Sequence, residues 1–423
     1  MPLEAAQAKG LITGNMHLDV EHRRCIVGGE PMIFHCHHYN VYLQRSIRDA
    51  SYIDSAPFLI GAGSEVAYAQ LRTLFQATGL AAVDERKTLA ETLLAWSGFG
   101  TISLSDVSGD GGTVATPHAH YAIGWKAKFG PAPEPVSFFT TGWLAGALAA
   151  IYDLPQGSFS ARQTACPAAG TGTLSVFVLQ RENPAYAVFD SPGVGRLSTH
   201  QVRPVPANNV DYEGILAALA SMELVGDATG MIPAFGVYLT RHYANYYNRI
   251  SFELGRALSA MFGAEGREVA EPLLVEAGHA CAFNTFGGIM ESAEWDALIR
   301  PQLQSREDWV HGIVAVVNAL GWGRWQVTAL SEREAEFTLH DDYESVGYCA
   351  TYGQTDHPVS YLAQGGVAGI MNLVYLGNIA EKPDLTPEFY DHLFGRADVY
   401  KAEVLSSLAM GEPVTAFRVK RGG

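Results

Sequence analysis

A stretch of this chain occurs twice, and that repeat limits its possible folds more than any other feature. Pro135, Val136, Ser137, Gly142, Ala145, Gly146 and Tyr152 recur as Pro358, Val359, Ser360, Gly365, Ala368, Gly369 and Tyr375, all at an offset of 223. The same offset carries Gly98, Phe99 and Gly100 onto Gly321, Trp322 and Gly323, and Gly130 onto Gly353. Chance does not hold one register across so many positions, so the sequence reads as two copies of one domain, residues 1–205 and 206–423. The 423-residue length agrees, because single hydrophobic cores stop growing at roughly 250–300 residues. With gaps the match extends upstream. There His35, Cys36, His37, His38, Tyr39 and Asn40 fall opposite Tyr243, Ala244, Asn245, Tyr246, Tyr247 and Asn248. Val202 to Asn209, rich in Pro and Asn, reads as the linker, and Gly377 to Pro387 as a surface insertion in the second copy.

Periodicity then assigns elements within each copy. Leu89 to Trp96, Gly142 to Tyr152, Trp309 to Leu320 and Gly365 to Tyr375 carry apolar residues at helical spacing. Gly98 to Leu104, Leu174 to Leu179, Trp325 to Leu330, Ala335 to Leu339 and Val414 to Val419 alternate or are β-branched, as strands are. Phe34 to Arg48 is read as a helix, and Gly109 to Thr113 as a hairpin turn. The resulting order is α+β, with antiparallel sheets and packed helices. Two glycines four apart let the Gly142 and Gly365 helices approach the sheet closely.

Composition excludes several function classes. Hydrophobic residues make up 48% and charged residues only 17%, so disorder is a poor reading. Lys plus Arg number 28 against 44 Asp plus Glu, and no basic block exists to release counterions from a nucleic acid or an anionic membrane. Five scattered cysteines, without a C-x-x-C pair, do not make a disulfide framework. The first ten residues lack a signal-peptide apolar region, and the longest apolar stretch is too short for a membrane span. A cytoplasmic protein is expected.

The motif order resembles the 4-vinyl reductase domain family, whose members show a Gly-x-Gly strand opening, a Pro-Val helix with two spaced glycines, a Glu-x-x-Cys-x-x-x-Gly segment and a closing strand. The match covers roughly Gly98 to Leu179 and Leu320 to Val419. The segment from Cys25 to Leu74 is more distantly similar to the one preceding this domain in phenol- and xylene-responsive activators of aromatic catabolism. The resemblance implies an α+β fold, a hydrophobic pocket for a small aromatic or hydrocarbon-like ligand, and a homodimer. The family's zinc ligands are not all present. Gln163 stands where the Glu would be, Leu174 where the closing Cys would be, and Ser407 opposite Cys166.

His35, Cys36, His37 and His38 form the densest cluster of ligand-type residues. On a helix, His35 and His38 share a face at spacing three, and a helix start would favour the Cys36 thiolate. Three readings stay open: pocket-facing or core polar groups, a metal or cofactor site, and a nucleophilic Cys36 with a histidine as base. His118 and His120, at strand spacing, would complete a metal site with His37 and His38, for which zinc or iron is the fitting transition metal. Tyr39, Tyr42, Tyr68, Trp125, Phe138 and Trp143 are the expected pocket wall, with Arg45 or Arg48 able to select a carboxylate if either turns inward. The second copy, lacking the cluster, is expected to be supporting. The leading expectation is binding and transformation of a small apolar or aromatic molecule at the Cys/His site, by metal-assisted or cysteine-based chemistry. The alternative is a non-catalytic binding or sensory protein acting through a partner. Because Leu174 and Ser407 replace thiols, chelator treatment should leave the melting temperature unchanged; a large drop would reveal a structural metal.

Overall fold

The computed structural model describes residues 3–198 and 205–423. Of the expected linker, Val202 to Pro204 lie outside the described residues, and the remainder precedes a helix at Tyr212–Ser221. The architecture is α+β, with three antiparallel sheets and helices packed on them. The central sheet combines β1 (Met16–Asp19), β2 (Arg24–Val27) and β3 (Glu30–Cys36) with β8 (Ile232–Ala234) and β9 (Val237–Tyr243). Its order is β1-β2-β3-β9-β8, so one hairpin from each half of the chain meets the other edge to edge.

Both hairpins turn on two residues of positive φ, Gly28 and Gly29 in one and Phe235 and Gly236 in the other. Two such residues make the type I′ turn, whose twist matches that of the flanking strands. An offset of 207 carries one turn onto the other and β3 exactly onto β9. It also joins Phe34 to Arg241, which are paired across the two strands. A local twofold axis therefore runs between Phe34 and Arg241.

The flanking sheets share one strand order. β4 (Val107–Ser108), β5 (Gly111–Thr116), β6 (Ser160–Ala165) and β7 (Ser175–Gln180) run 4-5-7-6. β10 (Arg324–Leu330), β11 (Glu334–His340), β12 (Tyr400–Ser406) and β13 (Thr415–Arg421) run 10-11-13-12. Gly109 and Asp110 form the hairpin turn between β4 and β5. Gly98 to Leu104 is not a strand. Instead, Gly98 and Gly321, at φ +90° and +89°, press against the strands of the opposite half, where an added Cβ would meet Leu239 O and Met32 O. Arg241 N donates to Ser97 O at 2.8 Å and Phe34 N to Leu320 O at 2.9 Å. Each half thus caps the other's strand.

The helix carrying Gly142 and Gly146 (Phe138–Ile151) touches β6 and β7, but its glycines face another helix, Ala56–Thr78. Tyr361–Met371 packs likewise on Ala264–Cys281. A methyl at Gly142 would overlap the Ile60 carbonyl, and one at Gly365 the Val275 carbonyl. Gly142→Ala should therefore cost about 1–3 kcal/mol by overpacking. Gly10→Ala, with open space around it on an exposed helix, should be neutral or stabilising by up to ~1 kcal/mol. Denaturant melts of the two variants check the contrast.

Candidate functional site

In an antiparallel pair, directly opposed residues share a face of the sheet. Ile33, His35, Thr240 and His242 therefore share one face of the β3–β9 ribbon, while Met32, Phe34, Arg241 and Leu239 share the other.

The first face is a fully packed aromatic core. His35 lies between Tyr39 and Trp322, both stacked on it with centroids at 4.3 Å, and meets Tyr247 edge-on at 4.8 Å. Trp322 is held in place by its indole N–H, which donates to Phe34 O at 2.9 Å. His242, 207 positions on, is the structural counterpart of His35. It stacks on Tyr246, meets Phe99 edge-on, and its Nε2 lies 3.0 Å from Tyr121 Oη. The true correspondence thus differs by one residue from the alignment that set His35 opposite Tyr243, and the second half does carry a buried histidine here. Burial holds both imidazoles well below their usual pKa and keeps them neutral. Between them, Tyr247 Oη donates to Asn40 Oδ1 at 2.5 Å, and Asn40 Nδ2 reaches Thr240 Oγ1 at 2.9 Å and His120 Nε2 at 3.0 Å.

The helix expected from Phe34 begins only at His37, because β3 runs through Cys36. His35 is therefore on a strand and does not share a helix face with His38. Cys36 is fully buried, its Sγ 2.9 Å from Thr285 Oγ1, with Cys281 Sγ 3.5 Å from the same hydroxyl. Burial pushes the Cys36 thiol up and overrides the neighbouring helix start that was expected to lower it. The His37 and His38 rings lie tilted against each other with centroids at 3.9 Å, and His37 Nδ1 accepts from Tyr238 N at 3.2 Å. Burial lowers His37 to about 4, and burial with His37 and Lys128 nearby lowers His38 to about 2. Lys128 Nζ donates to Asn284 Oδ1 at 3.2 Å beside them.

His118 and His120 do not share a strand face. His118 sits in the loop after β5, its Nδ1 3.2 Å from Thr101 Oγ1, and His120 opens the helix His120–Phe129, with burial lowering it to about 3. Among the described residues no three His, Cys, Asp or Glu side chains converge in an arrangement able to hold a metal ion. His37, His38, His118 and His120 are thus not gathered into one ligand set.

The expected wall residues are mostly core or surface. Trp143 is fully buried and donates to Tyr243 Oη at 3.0 Å. Tyr39 is stacked on His35, and Trp125 packs on Phe129 at 5.2 Å. Tyr42, half-buried beside Lys128, is pushed up to about 12 by burial. Tyr68 donates to Leu154 O at 3.2 Å under Arg72, and Phe138 lies under Arg48. Arg45 lies over Phe129 and pairs with Asp49 at 3.4 Å, and Arg48 pairs with Glu134, so neither selects a ligand in the interior.

The cavity is on the opposite face. A chamber of about 380 Å³ is walled by Met16, Leu18, Met32, Phe34, Leu219 and Met222, with Arg241 at its floor beside the local twofold axis. Ala319 and Gly321 complete it from the second half. Ala319 lies 223 positions after Trp96, the residue that packs on Arg241 from the first half. The small side chain leaves space where its counterpart fills it. None of the expected catalytic, wall or metal residues lines this chamber, although Cys25, Phe34 and the repeat glycine Gly321 do. A larger groove, about 660 Å³, lies between Phe252, Arg256, Arg267, Tyr348 and His357, and none of the predicted site residues lines it.

No protein-family model matches the chain, and no curated protein is significantly similar to it. Among solved structures, the chain is similar to the phenol-responsive sensory domain of the transcription activator PoxR with phenol, at 14% identity and a TM-score of 0.35. The similarity covers 49% of this chain and 89% of that one. At that level it assigns neither a fold nor a ligand. Within the described residues no helix is long and apolar enough to cross a membrane.

The buried histidines give a pH signature. His35, His37, His38, His120, His242 and His311 all stay neutral to well below pH 6.5. Below that pH the unfolded chain takes up protons that the native state does not, so stability falls on acidification. Glu30 and Glu344, pushed up to about 8 by burial, and Glu65, pushed up to about 7 by burial, act in the opposite sense above pH 4.5 but are outnumbered. The melting temperature should fall between pH 6.5 and 5. His120→Gln should flatten that fall by up to about 1.4 kcal/mol per pH unit. Thermal melts across the range check both.

Proposed function

We propose that this chain is a duplicated, 4-vinyl-reductase-like protein that binds a small, largely apolar molecule, and that the ligand occupies the chamber on the Phe34 face of the central sheet. The observation that supports this is the chamber itself. Its wall is mostly apolar, with Asp19, Arg23, Arg24, Glu213 and Arg241 as its charged members; it is assembled from both halves and lies against the central sheet. Its 380 Å³ falls within the ~300–1,000 Å³ of small-molecule sites. Covering its wall with ligand contributes about 25 cal/mol per Å² of apolar surface removed from water. Nucleotides and phosphosugars would bring charge and hydroxyls that such a wall leaves unsolvated. Thiolate attack by Cys36 has no part in this reading, since that thiol is buried and held protonated. The histidines serve the opposite face, where they brace the two halves against each other.

A neutral apolar probe series such as indole, phenol and 1-octanol should raise the melting temperature. At a hundred times Kd the gain is about 2.7 kcal/mol. ATP and glucose 6-phosphate should give no shift. Ala319→Phe should fill the chamber and remove the probe effect while the unliganded protein still melts cooperatively. Undiminished stabilisation of that variant would place the ligand elsewhere.

A further inference from the structure

On the reading that the Phe34-face chamber is the ligand site, we propose that its ligand carries a carboxylate and that Arg241 receives it. Among the described residues Arg241 is the one arginine of the chamber that has no acidic partner and makes only long hydrogen bonds, none under 3.4 Å. Arg23 pairs with Glu213 at 2.5 Å, and Arg24 donates to the Asp341 carbonyl. The acidic residues of the lining are also engaged, Glu213 by Arg23 and Asp19 by His22 at 2.8 Å. Asn318 is held by both backbone groups of Trp325.

Among the described residues the Arg241 side chain donates only to the Cys25 sulfur and the Leu224 carbonyl, each at a long 3.4 Å, and its buried Nε, like those of Arg23 and Arg24, has no partner. Burial raises the Cys25 pKa, so the sulfur remains a thiol and supplies no countercharge. The guanidinium is nevertheless firmly held. Phe34 and Trp96 lie against it at 4.4 and 4.6 Å, in the geometry of cation–π contacts. A planar cation fixed by aromatic rings, with its hydrogen-bond donors under-used, is preorganised for a planar, bidentate anion. A carboxylate has that shape and one charge to match one guanidinium. A phosphate dianion would leave charge uncompensated among Met16, Leu18, Met32 and Leu219. The remainder of the chamber then takes an aryl or short alkyl tail.

Calorimetric titration of the full chain at pH 7.5 with 4-phenylbutyrate and 4-phenylbutan-1-ol, which share a tail, tests this. The acid should bind at least about tenfold more tightly than the alcohol, as a buried charge-assisted bond gives. Arg241→Gln should abolish that preference. Equal affinity of the wild type for acid and alcohol would overturn the carboxylate assignment and leave the chamber standing; so would an acid preference that survives in Arg241→Gln. Binding of neither compound would instead overturn the chamber reading and this assignment with it. Should Arg241→Gln fail to fold, Arg241→Lys keeps the charge and loses the planar fork. A preference weakened by that change supports the assignment, and an unaltered one counts against it.

Discussion

The pairing of β3 with β9 is the contact on which the rest of the structure depends. It joins strands 207 positions apart, so it cannot form until much of the chain has been made. The contacts around it run crosswise between the halves. Ser97 and Leu320 accept from the strand of the opposite half, and Phe99 and Trp322 cover the opposite half's histidine. The Gly-aromatic-Gly segments are therefore clasps between halves: their first glycines, Gly98 and Gly321, meet the backbone of the opposite half, while Gly100 and Gly323 meet that of their own at His118 and Asp341.

The same pairing explains why so many imidazoles are buried without charge. A ring that stacks between aromatic neighbours needs to be planar and apolar-tolerant, and neutral His35 and His242 meet both demands. What looked in sequence like a reactive cluster is split by the strand-to-helix junction at Cys36. His35 goes to the core of the interface, Cys36 to Thr285, and His37 to the Tyr238 backbone. Residues adjacent in sequence point in different directions because a strand alternates its side chains and a helix rotates them.

The helices around Leu89, Gly142, Trp309 and Gly365 and four of the five expected strands were legible because they rest on periodicity, which is local. The glycine pairs were legible as sites of close packing, although the partner proved to be a helix. The junction at Cys36 was not, since Phe34 to Arg48 carries apolar residues compatible with a helix throughout, and it is pairing with β9 that keeps the chain extended from Phe34 to Cys36. The chamber was illegible for a different reason. Its lining comes from Met16 to Phe34, Glu213 to Leu224, Phe235 to Arg241 and Asn318 to Gly321, segments brought together only by the fold. A usable signal did exist in the differences between copies: at the correct offsets, Phe34 answers to Arg241 and Trp96 to Ala319.

The local axis between Phe34 and Arg241 has an evolutionary corollary. A residue astride an exact twofold faces its own twin, so a homodimer built on this strand pair would set phenylalanine against phenylalanine or arginine against arginine. The first arrangement offers no charge, and the second brings two like charges together in the interior. Joining both halves in a single polypeptide lifts that identity and permits one aromatic ring and one cation to meet on the axis. Carrying both strands in one chain is thus what makes the seam unsymmetrical at its axis.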